Sequence, residues 1–171
     1  MSSFLQRLLA HPAREAPVTA VTAPTALTPW LPSHVGEFIR EEDVSAGKLL
    51  SLFKQAFFAV EARPDDCLLV TAEGGMSLHV RVDTCRKLVM FSACFELQAA
   101  APMEGKLAFV NVANDTVIFV RFSITDETTL YVDYHLPFNG GVTPAAVIAA
   151  VRHMGRVTPQ AINELAAPGL F

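Results

Sequence analysis

A chain of 171 residues, 51% hydrophobic and 18% charged, is long enough for one ordinary domain plus an extension and too apolar to stay disordered. Its net charge of −4 argues against nucleic acid as the main partner, because that binding draws on clustered Lys and Arg, and here only Arg86 and Lys87 are adjacent. No apolar run approaches the roughly 20 residues that cross a bilayer. The start "MSSFLQRLLAHPAREA" lacks the continuous apolar stretch of a signal peptide, and three cysteines without a C-x-x-C (Cys67, Cys85, Cys94) read as free thiols. The expectation is therefore a cytoplasmic protein with no membrane segment.

Residues 1–10 suit a short amphipathic helix, with Phe4, Leu5, Leu8 and Leu9 on one side. The stretch "HPAREAPVTAVTAPTALTPWLPSH" carries too many prolines for a long helix or a central strand, so residues 1–34 read as an arm and residues 35–171 as the domain. Trp30 is the one residue of the arm suited to anchor it.

"SAGKLLSLFKQAFFAVEA" from Ser45 has helical periodicity: Leu49, Phe53, Ala56 and Val60 form a stripe that Leu50, Leu52 and Phe57 widen. Arg63-Pro64 ends it, because a residue before proline avoids the α region. "CLLVTA" (67–72) and the alternating "SLHVRVD" flank Gly74-Gly75 as a hairpin, and "LVMFSACFEL" (88–97) follows the turn at Thr84–Lys87. A shorter helix is expected over Met103–Ala113, then a second hairpin of "VIFVRFSI" (117–124) and "LYVDYHL" (130–136). Thr143-Pro144 and Thr158-Pro159 each match a helix N-cap followed by proline, with Gly155 suited to end the first of these helices. The order α-βββ-α-ββ-α implies an α+β domain, an antiparallel sheet of about five strands with helices on one face.

Gly140-Gly141 raises the possibility of an anion-binding loop. A phosphate cradle of the P-loop type needs a longer glycine-spaced loop and a Lys at the helix start, whereas Val142-Thr143-Pro144 follow here and Pro144 removes a backbone N–H. The pair reads as a structural hinge into a helix capped by Thr143.

Asp133 and His135 share a strand face and, with His79 or Asp83, form the candidate polar site for a small-molecule sensor or enzyme. No metal-ligand spacing or nucleophile elbow accompanies them, so no metal, cofactor or catalytic residue is assigned. Asn111 and Asn114 are residue types able to read a ligand, but asparagines near a helix end more often close the backbone. Assigning the greasier side of each strand to the core (Leu78, Val80, Val82; Val89, Phe91, Phe95; Ile118, Val120, Phe122; Val132, Tyr134, Leu136) leaves Leu88, Met90, Cys94, Val117, Phe119 and Tyr131 on the other face, mixed with His79, Arg81, Arg121, Asp133 and His135. Phe58 falls off the stripe of the first helix. Phe58, Met90, Cys94, Val117, Phe119, Tyr131 and Arg121 are therefore the expected partner or dimer interface, since contiguous apolar patches with aromatics, Met and Arg mark interfaces.

Four stretches resemble the YbjN family of bacterial sensory transduction regulators: the first helix leading through Pro64-Asp65-Asp66 into a hairpin, "LVMFSACFEL", "LAFVNVANDTVIFVRFSI" with Asn111-x-x-Asn114, and "LYVDYHLPFNGGVTPAAVIAAV". The resemblance covers roughly residues 40–160, and the G-G-V-T junction is its most specific signal. "TDETT" departs from the family's glycine-containing turn and implies a looser hairpin. The family is similar in fold to type III secretion chaperones, which usually act as homodimers and bind other proteins. The resemblance thus implies a non-enzymatic, homodimeric protein-binding module with a chaperone-like or regulatory role.

Overall fold

The computed structural model describes residues 38–171, so the expected N-terminal helix, the proline-rich arm and Trp30 lie outside the described residues. Three helices and six strands follow in the order α1 (Ala46–Gln55), β1 (Ala59–Arg63), β2 (Cys67–Thr71), β3 (Ser77–Asp83), β4 (Leu88–Glu96), α2 (Met103–Thr116), β5 (Arg121–Asp126), β6 (Thr129–Pro137) and α3 (Pro144–Leu165). The strands form one sheet, ordered β1-β2-β3-β4-β6-β5 and antiparallel at every junction. The α+β class is as expected, with one strand more.

The extra strand comes from the end of the first helix. Ser45 caps its start, accepting the Lys48 N–H at 3.3 Å. The expected continuation to Ala62 does not occur. Instead the Phe57 N–H donates to the Lys54 carbonyl and the Phe58 N–H to the Phe53 carbonyl at 3.0 Å, with Phe57 left-handed at φ 63°. These are the two bonds of a Schellman stop, and its usual apolar contact is present as the edge-to-face pair Phe53–Phe58. Released from the helix, Ala59–Arg63 pair along β2 from Ala59↔Thr71 to Arg63↔Cys67.

The other late difference is α3. Two helices were expected, divided near Gly155, yet one helix of 22 residues runs through Pro159. Met154, Gly155, Thr158 and Ala161 are all buried on its core side, so packing carries the helix past a proline that costs about 3 kcal/mol in a helix interior. Gly155 serves contact rather than termination: a Cβ there would lie 2.6 Å from the Ala72 Cβ.

The helices cover one sheet face, and among the described residues no helix lies on the other, the helix-free face. Leu68, Val70, Leu78, Val80, Val89, Phe91, Phe122, Leu130 and Val132 are buried there with Leu49, Phe53, Phe109, Val147, Val151 and Met154 from the helices. Alternation along β3 (Leu78 and Val80 buried, His79 and Arg81 exposed) is the physical basis of the two faces.

The sheet's two edges are treated differently. At β5 the Asn114 side chain donates to the Phe122 carbonyl at 2.9 Å and accepts the Phe122 N–H at 2.8 Å, so a helix side chain stands in for a seventh strand. Beside it, buried Lys106 donates its ammonium to the Glu127 carbonyl in the β5–β6 turn. That turn carries a register irregularity between Ile124 and Asp126, in keeping with the looser hairpin. At the other edge β1 pairs only with β2 among the described residues.

Candidate functional site: the helix-free sheet face and its two aromatic margins

The glycine junction is a hinge that supplies its own anion. Gly141 N–H closes a turn onto the Phe138 carbonyl, and Val142 exchanges two backbone bonds of 2.9 Å with Ile39. Thr143 then caps α3, accepting the Ala146 N–H at 3.2 Å. The Gly140 N–H points at Glu41 Oε2, 2.7 Å away, while Glu41 Oε1 meets Lys87 Nζ at 3.1 Å. The donor an external anion would use is already taken by a carboxylate of the chain.

The Gly140 N–H, and then the Lys87 ammonium, hold the Glu41 carboxyl below its ordinary value of 4.5. A carboxyl lowered in the folded state stabilises the fold above its unfolded pKa, and that contribution is lost as pH falls through the lowered value. Wild-type stability should therefore decline more steeply than that of Glu41→Gln as pH drops from about 6 to about 3. Parallel thermal melts across that range are the check, and equal slopes would refute the assignment. Asp126, lowered chiefly by the Thr128 N–H, contributes the same sign to both proteins.

On the helix-free face, pairing of β3, β4, β6 and β5 lines up His79, Ser92, Asp133 and Arg121 in one row, with Arg81, Met90 and His135 in the next and Cys94, Tyr131 and Ser123 in a third. Met90, Cys94, Tyr131 and Arg121 thus share this face. Leu69, Leu88, Met90 and Tyr131 are half-buried among exposed His79, Arg81, Cys94, Arg121 and His135.

The polar trio does not converge. Asp133 is paired with Arg121 at 3.2 Å, and His79 lies two strands away across Ser92, roughly 10 Å at normal strand spacing. His79 Nδ1 instead meets the buried Cys67 Sγ at 3.6 Å, a thiol–imidazole contact that the sequence reading missed because the two residues stand on adjacent strands. The Cys67 thiol also reaches the Leu68 carbonyl at 3.8 Å. Among the described residues no group of three or more His, Cys, Asp or Glu could hold a metal ion.

Three residues placed on that face or in solvent by the sequence reading lie elsewhere. Phe58 is half-buried, packed on Phe53 with the Arg152 guanidinium 5.9 Å from its ring centre, because the Schellman stop turns Phe58 inward and Phe57 outward. Val117 is the C-cap of α2 and packs against the core. Phe119 precedes β5 rather than belonging to it, at φ 69°, and its ring meets Tyr134 and His153 edge-on. Those contacts put Phe119 at the margin of the helix-covered side.

Among the described residues, the most exposed large apolar side chains are consequently Phe57 at 92%, Phe119 at 77% and its neighbour Ile118 at 69%. Phe57 stands beside the open edge and Phe119 beside the sealed one. Both phenylalanines hold left-handed backbone, which costs a non-glycine residue on the order of 1 kcal/mol. A shallow groove also runs along α3, where Arg152, His153 and Arg156 face Glu73 above Ile148 and Ala149, and Arg152 pairs with Glu73 at 3.5 Å.

This arrangement has relatives. The YbjN family model, described as "Putative bacterial sensory transduction regulator", matches residues 47–167, from the first turn of α1 to just past the end of α3. The chain belongs to the YbjN family. The crystal structure of YbjN from E. coli superposes with a TM-score of 0.58 at 15% identity, covering 71% of this chain and 90% of that one. A chain of the HopA1–SchA chaperone–effector complex gives a TM-score of 0.49 at 10% identity, over 69% of this chain and 91% of that one. No curated protein matches the sequence. The likeness to E. coli YbjN is one of fold. Among the described residues no helix is long and apolar enough to cross a membrane.

Proposed function

We propose that this YbjN-family protein is a non-catalytic, homodimeric protein-binding module with a regulatory or chaperone-like role, working in the cytoplasm. The observation that carries the reading is the pair Phe57 and Phe119, each a large aromatic held in solvent on left-handed backbone. Both features work against the isolated fold, and strained, exposed aromatic positions are where binding surfaces concentrate. Phe119 with Ile118 forms one contact patch. The helix-free face, through Met90, Cys94, Tyr131 and Arg121, forms a broader one, mixed in apolar and cationic character as interfaces are.

Phe119→Asp tests it. Aspartate tolerates left-handed backbone better than phenylalanine, so the variant should fold at least as well as wild type. In affinity capture from the native lysate it should retain specific partners at least tenfold less. A folded variant that captures the same proteins in the same amounts would sink this assignment of the patch.

A further inference from the structure

Taking the homodimer reading as its starting point, we infer that two copies join through the open edge of β1, antiparallel about Ala62, into one continuous twelve-stranded sheet. The first support is the contrast between edges. An exposed edge is a template for another strand unless it is blocked. The β5 edge is blocked by Asn114, whereas among the described residues Ala59–Arg63 pair on one side only, and all but Val60 are exposed.

The second support is charge. Glu61 and Arg63 lie on the helix-free side, opposite Leu69 and Cys67, and form a pair of 2.8 Å at the surface. In an antiparallel pairing about a two-fold axis at Ala62, residue numbers across the junction sum to a constant. Glu61 then faces Arg63 of the second copy, and Arg63 faces Glu61. Each carboxylate gains an opposite charge in directly cross-strand position, the geometry in which such pairs stabilise a sheet. The residue meeting its own copy at the axis is Ala62, small and uncharged. Shifting the centre to Glu61 would oppose two carboxylates, so the charges select the register as well as the edge.

The arrangement makes a test that the intramolecular Glu61–Arg63 pair cannot mimic. Wild type should sediment as a dimer that dissociates on dilution. Glu61→Arg leaves two guanidinium groups on the edge and Arg63→Glu leaves two carboxylates, so each variant alone should sediment as a folded monomer where wild type is dimeric. Mixed in equal amounts, the two variants should recover the dimer, because every cross-strand pair is again opposite in sign. Circular dichroism confirms that both are folded, and the double variant, expected to be dimeric, guards against loss of either single one. A wild type that stays monomeric overturns both this junction and the homodimer reading. A dimeric wild type whose single variants remain dimeric, or whose mixture stays monomeric, overturns the β1 junction and leaves the homodimer reading standing.

Discussion

Gly141→Ala should destabilise the fold by about 3 kcal/mol or more, lowering the thermal midpoint by roughly 10 °C. Two costs combine. Gly141 sits at φ 114°, a region that residues with a Cβ rarely occupy. A Cβ built there would also lie 2.4 Å from the Ile39 carbonyl oxygen and 2.5 Å from the Phe38 ring, so the segment entering the domain would have to lift away. Lifting it breaks the paired Ile39–Val142 bonds and pulls Glu41 from Gly140. Gly140→Ala is the matched comparison. At φ 76° with nothing within 4 Å of the added Cβ, it should cost only about 1 kcal/mol, the left-handed penalty alone. Thermal melts of both variants separate the two costs. Equal losses would mean that the contact with Phe38 and Ile39 contributes nothing.

What the sequence made legible was whatever depends on local pattern. Alternation in "SLHVRVD" named the core side of β3, and every residue read as core-facing in β4 and β6 turns to the helices: Val89, Phe91 and Val132 fully buried, Phe95, Tyr134 and Leu136 partly so. The G-G-V-T hinge and the Thr143 cap were likewise readable, because glycine pairs and Thr-Pro have steric meanings that need no partner. The failures fall where two local signals agreed on the wrong answer. "SLFKQAFFAVEA" keeps helical periodicity through Val60, and no glycine marks the stop. The left-handed C-cap is a phenylalanine, and a sequence reading gives that position to Gly or Asn. One misplaced stop hid β1 and exchanged the exposures of Phe57 and Phe58. At "DTVIFVRFSI" the strand begins at Arg121, after a left-handed Phe119, so alternation counted back from Phe122 put Ile118 in the core where it is exposed. At Thr158-Pro159 a valid capping signal was outweighed by burial along α3.

The sealed edge supplies the other large effect. Asn114→Ala should cost about 2 kcal/mol, the sum of two hydrogen bonds of roughly 1 kcal/mol each, and should also change how the protein associates. The backbone of Phe122 presents an N–H and a carbonyl at the edge of β5, and only a side chain that accepts and donates at once satisfies both. The Asn111-x-x-Asn114 spacing allowed a ligand-reading role. Position 114, in the last turn of α2, instead aims its amide at a strand that follows almost at once in the chain. Asn114→Asp separates acceptor from donor. The new carboxylate still accepts the Phe122 N–H but meets the Phe122 carbonyl as a second acceptor, so near neutral pH it should lose at least half the stability lost in Asn114→Ala. Once protonated, below the ordinary aspartate pKa of about 3.9, it can donate again, and its deficit relative to wild type should narrow. Denaturant melts at both pH values give the comparison. Light scattering on warming gives the second readout: a vacated β5 edge is a free template, so Asn114→Ala should aggregate at a lower protein concentration than wild type. If its stability falls while aggregation is unchanged, Asn114 braces the α2–β5 junction and does not guard the edge.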